Sequence, residues 1–196
     1  MSSTNRSDKR KKYDYYRTDS NFIMEFIDNI IEIPAFYDLF KYRRELDVLD
    51  PSAGGDSEDK SMPFVDVLYD YGFRNIISID IRDDSSASIK DDFLKREMQC
   101  YYDLIITNPP FNLAEEFITK SFECIKSDGW IMMLLRLNFL ESQKRKKFWN
   151  NYMPRYIFLN HHRMSFTGDS NTDSVPHAMF CWQKGNYPEF AKIKVI

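Results

Sequence analysis

The chain has 196 residues, enough for one domain with a substantial core. At 43% hydrophobic and 16% aromatic, with a net charge of −3, it is not a disordered chain, and bulk charge alone does not mark it as a nucleic-acid binder. The polar, basic N-terminus and the lack of any run of about 18 apolar residues speak against a signal peptide and a membrane span, so a soluble, cytoplasmic protein with no membrane partner is expected.

Residues 1–12 are rich in Ser, Lys and Arg without apolar anchors and read as a flexible basic arm ahead of a single domain over 13–196. Phe22 to Leu39 has helical periodicity, with Asp19 or Ser20 as cap and Pro34 as an interruption. Leu46 to Asp50 reads as a strand, and Ser61 to Tyr71 as a helix with Pro63 in its first turn and Gly72 past its end. Asn75 to Ile81 and Tyr102 to Thr107 read as strands, and Ala114 to Ile125 as a helix stopped near Asp128-Gly129. Trp130 to Leu135 is a buried strand, Ser142 to Tyr152 a basic helix, and Tyr156 to Leu159 and Ala178 to Gln183 two final strands that pair antiparallel. The alternation predicts an α/β fold with a mostly parallel, Rossmann-like sheet, an antiparallel last strand and helices on both faces. In such sheets ligands sit beyond the carboxyl ends of the strands, which directs attention to Asp50, Asp80 and Thr107-Asn108.

After the first strand comes Asp50-Pro51-Ser52-Ala53-Gly54-Gly55. Its small residues let a ligand approach the backbone, although a plain strand-to-helix turn uses the same glycines, and the dinucleotide fingerprint is absent. Asp80, followed by Ile81 at the end of the next strand, suits the hydroxyls of a ribose. Asp92 and Phe93 offer a carboxylate and a ring to a purine. The three cysteines, Cys100, Cys124 and Cys181, form no metal-ligand spacing, and no metal is expected.

The most specific signal is Asn108-Pro109-Pro110-Phe111, directly after an apolar strand. Prolines bring no N–H to a turn, so the Asn108 side-chain oxygen and the Pro109 carbonyl are left to accept from a ligand. An aromatic amine is a poor nucleophile because its lone pair is delocalised. Two acceptors aimed at its N–H groups favour a pyramidal nitrogen, whose localised lone pair attacks a methyl sulfonium in line. Phe111 is placed to stack on the flat substrate.

This tetrapeptide resembles the catalytic motif of the N6-adenine DNA methyltransferases. Asp50-Pro-Ser-Ala-Gly-Gly is similar to their cofactor loop, Asp80 to their ribose-binding acid, and Asp92-Phe93 to their adenine-binding pair. Tyr15-Tyr16-Arg17-Thr18 resembles the segment that closes over the methionine part of the cofactor, with Asp19 where a proline is frequent. The resemblance runs from Tyr13 to Lys184, and its C-terminal segments Leu134-Leu-Arg-Leu-Asn-Phe-Leu-Glu-Ser and Arg163-Met-Ser-Phe-Thr-Gly-Asp look like those of small phage-type enzymes. It implies S-adenosyl-L-methionine as cofactor, held by Tyr16, Thr18, Asp50, Ser52, Ala53, Gly54, Asp80, Ile81, Asp92, Phe93 and Asn108, and adenine in DNA as target, with a phage-encoded enzyme acting in the host cytoplasm. The acidic loop Asp56 to Lys60 looks longer than usual, and no target-recognition domain is visible.

An adenine inside a duplex has to be flipped out or met in a single strand. Arg136, Lys144, Arg145, Arg163, Ser165 and Phe166 are the candidate nucleic-acid contacts, and Lys144 to Lys147 also reads as a solvated helix face. A homodimer or a partner protein would supply target recognition. The rival enzymes are an RNA adenine N6 methyltransferase and a protein-glutamine N5 methyltransferase, whose family shows Tyr where Phe111 stands. A rival of another class is a non-catalytic S-adenosylmethionine-binding subunit. Cytosine C5 chemistry needs a nucleophilic thiol, which in enzymes of that family follows a proline, and none of the cysteines here does.

Overall fold

In a computed structural model the described residues are 17–98, 102–162 and 175–196. The basic arm, Tyr16, Cys100, Arg163, Ser165 and Phe166 lie outside them.

Eight strands form one sheet: β1 (Asp47–Asp50), β2 (Asn75–Asp80), β3 (Ile89–Lys90), β4 (Tyr102–Thr107), β5 (Ile125–Arg136), β6 (Tyr156–Leu159), β7 (His177–Gln183) and β8 (Lys192–Val195). Their order is β3-β2-β1-β4-β5-β7-β6-β8. All neighbours pair in parallel except β7, which is antiparallel to β5 and to β6. The chain moves outward from β1 to β3 and then returns to the other side of β1, so strand order reverses between β1 and β4. That reversal opens a crevice at the carboxyl ends of the strands.

Alternation along the central strands divides the core in two. Val48, Leu104, Ile106, Trp130, Met132 and Leu134 pack on one face, beneath α1 (Ser20–Ile31) and α3 (Pro63–Asp70). Leu49, Ile105, Ile131, Met133 and Leu135 pack on the other, with α4 (Ala114–Cys124) and the aromatic residues of α5 (Lys146–Asn151). Asp19 caps α1 by accepting from the Asn21 N–H at 2.9 Å, and Phe22, Ile23, Phe26, Ile27 and Ile30 form its buried stripe. Pro34 starts a 3-10 turn that leads into the short α2 (Tyr37–Lys41).

The expected elements are present, with four differences. Helix α3 begins at Pro63 because the Asp66 carboxylate takes up the Met62 N–H at 3.0 Å and fixes the turn before it. β5 begins at Ile125, and the residues between Ile125 and Trp130 form an irregularity against β4 that includes Asp128 at φ 63°. The stretch predicted as one basic helix is a 3-10 turn, Gln143–Arg145, followed by α5. Its apolar anchors Phe148, Trp149 and Tyr152 all lie in the second half, so only that half is packed. Two strands were not foreseen: β3, only two residues long, and β8, a Lys-Ile-Lys-Val edge strand beside β6. Among the described residues no helix is long and apolar enough to cross a membrane.

Phe36, fully buried, lies 4.2 Å from the Trp130 ring and within 6.4 Å of Tyr156 and Phe158 (centroid distances). It ties the segment after α1 to the sheet. Phe36→Ala is expected to cost about 3–5 kcal/mol of unfolding free energy in urea titrations. A loss below about 1 kcal/mol would show that this cluster is not central to the core.

Candidate active site

One pocket opens at the reversal point. It is lined by Arg17 and Thr18 ahead of α1, Pro51 to Gly54 after β1, Asp80 to Arg82 after β2, Asp91 to Leu94 after β3, and Asn108 to Phe111 after β4. Pro63 and Phe64 of α3, with Leu113 and Phe117, complete the wall. It is a cleft partly open to solvent, whose walls combine backbone, carboxylate and aromatic groups as small-molecule sites do. Segments far apart in sequence meet there because parallel strands deliver their carboxyl ends to one rim.

The loop after β1 is shaped by the end of β2. The Ala53 N–H donates to the Ile79 carbonyl at 3.0 Å, and the Gly54 N–H donates to Asp80 Oδ2 at 2.9 Å. Gly54 and Gly55 have φ of 78° and 71°, which favours glycine, and a Cβ on Gly55 would meet Ser86 Cβ at 2.8 Å.

Asp80 is 5% exposed, and its second oxygen, Oδ1, accepts from the backbone N–H of Arg82 at 2.9 Å and from Arg82 Nε at 3.2 Å. Arg82 is itself buried and donates to the Gly55 carbonyl. Three of the roughly four acceptor positions of the carboxylate are thus used inside the protein, and the one left is on Oδ2. Arg82 was not foreseen as a site residue. Its signal was the Asp-Ile-Arg spacing, which puts residues 80 and 82 on one side of an extended segment while Ile81 turns outward and is 48% exposed.

Asp50 lies under the loop, 1% exposed, and does not line the pocket. Its Oδ1 accepts from the Ser52 N–H at 3.2 Å, and its Oδ2 is buried without a hydrogen-bond partner. Burial pushes its pKa up to about 7, against the pull of the nearby Thr107 hydroxyl and the Ser52 N–H. The Asp80 charge adds to the rise.

Asp92 and Phe93 divide their roles. Asp92 Oδ1 accepts from the Leu94 N–H at 3.0 Å, and Oδ2 pairs with Lys95 at 3.1 Å. The Phe93 ring is 2% exposed and packs 5.2 Å from Phe117, so it forms pocket wall continuous with the core.

The tetrapeptide ends β4 at the pocket's edge. Leu113 closes the turn by donating to the Pro110 carbonyl at 2.9 Å. Asn108 Nδ2 donates to the buried Thr18 hydroxyl oxygen at 3.1 Å. Phe111 sits beneath the Arg136 guanidinium, 4.7 Å from ring centroid to Cζ, and 5.4 Å from the His177 ring. His177 was not foreseen either. It stands opposite Arg136 in the antiparallel pairing of β5 with β7, a register invisible before the sheet is built.

Of the candidate nucleic-acid contacts, Lys144 is exposed. Arg145 is half-buried and donates to Glu115 at 2.6 Å and to the Phe139 carbonyl at 3.1 Å, with its guanidinium 4.3 Å over the Phe139 ring. It anchors the segment before α5 to the start of α4. Lys146 and Lys147 open α5 beside it, and both are exposed.

The Asp50 carboxyl yields a prediction with a definite sign. Its pKa is about 7 in the native state against 3.8 for an unperturbed carboxyl, so between about pH 4 and 7 the native state binds the extra proton. Stability therefore falls as pH rises through that window, by up to roughly 4 kcal/mol from this group. Asp50→Asn lacks this contribution. The variant's unfolding free energy relative to wild type is expected to rise from about pH 4 to about pH 8, measured by urea titration at each pH. A difference that is flat or falls with pH would contradict the raised pKa.

No family model matches the sequence, and no curated protein does. Solved structures do. A candidate RNA methyltransferase from Pyrococcus horikoshii superposes with a TM-score of 0.61 at 14% identity, over 93% of this chain and 93% of its own. A candidate class I S-adenosylmethionine-dependent methyltransferase from Listeria monocytogenes gives 0.60 at 13% identity, over 86% of this chain and 64% of its own. The methyltransferase subunit of a type I restriction-modification system from Streptococcus thermophilus gives 0.60 at 11% identity, over 82% of this chain and 44% of its own. The chain thus spans less than two thirds of the Listeria protein and less than half of the Streptococcus one. At these identities the likeness is one of architecture: the chain has the Rossmann-like fold of the class I methyltransferases.

Proposed function

We propose that the protein is an S-adenosylmethionine-dependent methyltransferase acting on the N6 amino group of adenine in DNA. The observation that carries the reading is the position of Asn108-Pro109-Pro110-Phe111 on the edge of the same pocket as Gly54, Asp80, Ile81, Asp92 and Phe93. A transfer reaction needs donor and acceptor side by side, and these two residue sets share one crevice.

The chemistry of the pocket fits the cofactor. Asp50 lies beneath the loop after β1 and would act by shaping that loop through the Ser52 N–H rather than by touching the ligand. The remaining acceptor position on Asp80 suits a ribose hydroxyl, and the exposed Ile81 with the Phe93 wall suits the two sides of a purine. Asp92 is placed to accept from the purine amino group, and Ser52, Ala53, Gly54 and Thr18 border the remainder.

When bound, the cofactor supplies an electrophilic methyl group. The rest is done by the chain. Asn108 Oδ1 and the Pro109 carbonyl accept from the two N–H groups of the target amine and draw its nitrogen towards a pyramidal form. The Phe111 ring, held by Arg136 and His177, supplies a fixed face for the base to stack on. The amine nitrogen would form the new bond to the methyl carbon as the methyl–sulfur bond breaks, leaving a neutral thioether, and release one proton to solvent.

Lys144, Lys146 and Lys147 follow β5, at the carboxyl end of the sheet that also carries Asn108, and suit the phosphates of a nucleic acid. The Streptococcus neighbour, a methyltransferase subunit of a type I restriction-modification system, favours a nucleic-acid target. Adenine in RNA is the second reading, favoured by the Pyrococcus candidate RNA methyltransferase, which matches over nearly the full length of both chains.

Transfer of labelled methyl from S-adenosylmethionine to DNA, RNA and protein pools tests both readings. Label is expected in N6-methyladenine of DNA, and Asn108→Ala should lower the rate about 10²–10³-fold. Label in RNA alone would move the assignment to the second reading. Label in protein alone would overturn both, and an active Asn108→Ala would remove the mechanism.

A further inference from the structure

Resting on the function proposed above, we infer that Leu140 is a wedge that enters a DNA duplex at the place the target adenine leaves, so that paired DNA is the substrate. A base inside a duplex reaches the pocket only by leaving its stack, which costs unstacking and unpairing energy. An apolar side chain that fills the vacated space offsets part of that cost, and leucine is one of the residues that proteins insert between base steps.

A lone exposed leucine is ordinary on a protein surface. Leu140 is distinguished by its place and by how its turn is held. It ends a 3-10 turn, Leu137–Leu140, that continues β5 at the rim where the parallel β4 delivers the catalytic tetrapeptide. The stretch from Arg136 to Arg145 is fastened to that site at both ends. The Arg136 guanidinium lies 4.7 Å over the Phe111 ring, and Arg145 donates at 2.6 Å to Glu115, in the first turn of the helix that follows the tetrapeptide. Between these two anchors Leu140 is 37% exposed.

The turn has little freedom to yield. Phe139, buried, plugs it into the core edge-on to Phe148, Trp149 and Phe180. The Leu137 N–H donates to the Pro176 carbonyl at 2.8 Å, the Glu141 N–H to the Asn138 carbonyl at 3.0 Å, and Arg145 to the Phe139 carbonyl at 3.1 Å. A wedge needs such a mount, because a side chain on a yielding loop is pushed aside by the stack. Charge points to the same ligand. Exposed Lys144, Lys146 and Lys147 follow Leu140, against one exposed acid, Glu141, and suit the phosphates beside the opened step.

The test is methyl transfer to unmethylated genomic DNA, native and heat-denatured, by wild type, Leu140→Ala, Leu140→Gln and Leu140→Met. Leu140→Gln keeps the length of the side chain, so the comparison survives if truncation to alanine disturbs the turn. Both Leu140→Ala and Leu140→Gln are expected to lower kcat/KM on native DNA about 10- to 30-fold, the scale of losing part of the compensation for one unstacked base, and to leave the rate on denatured strands within about twofold. Leu140→Met, apolar and of similar volume, is expected to restore most of the duplex rate. S-adenosylmethionine affinity, read by calorimetry, is expected to stay within about twofold of wild type, which reports that the variant is folded. With that affinity kept, equal losses on native and denatured DNA would overturn the inference, as would a full rate on native DNA for Leu140→Ala and Leu140→Gln. A wild-type protein active on denatured DNA alone overturns it too and leaves the proposed function standing, since adenine in DNA is still methylated. If wild type binds cofactor but methylates no adenine in DNA, the proposed function falls first, and this inference with it.

Discussion

The hydrogen bond from the Gly54 N–H to the buried Asp80 carboxylate holds the site's geometry together. It joins the loop after β1 to the end of β2, and the parallel register of those strands brings the two ends level. Without an acceptor at Asp80, the Gly54 N–H would be buried and unpaired, and the loop would have to open to satisfy it. Arg82 strengthens the junction from the other side by binding both Asp80 and the Gly55 carbonyl. The pocket floor is thus fixed before any ligand arrives, which is the condition for electrostatic preorganisation.

The same junction divides two buried carboxylates by charge. Asp80 has Arg82 as a counter-ion and stays inside an ion pair. Asp50, at the end of the adjacent strand, has none, and burial raises its pKa to about 7. Two buried anions this close would be costly, and the protein provides a cation for only one of them. The other, with no cation beside it, holds its proton up to neutral pH, and ionising it above that costs stability.

Much of this was legible in the sequence, for identifiable reasons. Strand ends are marked by Asp50, Asp80 and Thr107 because apolar runs stop there, and a parallel sheet sends such ends to one rim. The α1 cap at Asp19 and the turn at Gly72, φ 95°, follow from local chemistry. Other features were not legible. β3 is two residues long, below the length at which alternation carries a signal. The packing of Phe93 against Phe117, which leaves it 2% exposed, depends on a helix over it that one-dimensional pattern cannot place. Arg145 looked like one of four equivalent basic residues, and only tertiary structure joins it to Glu115.

The role of His177 shows the limit most clearly. In sequence, Arg136 and His177 are unrelated residues at the ends of two apolar runs. The antiparallel register of β5 and β7 makes them direct partners, and the Phe111 ring then lies near both. A proline pair rigidifies the backbone before Phe111, but it leaves the side chain free to choose a rotamer. The neighbouring guanidinium and imidazole limit that choice. Both ends of the tetrapeptide are therefore restrained from outside it: Asn108 by Thr18 from the segment before α1, and Phe111 by two residues from β5 and β7. A four-residue turn between a strand and a helix could not by itself hold an acceptor and a stacking face at a fixed separation. The fold supplies that separation by converging on the turn from both sides of the strand-order reversal.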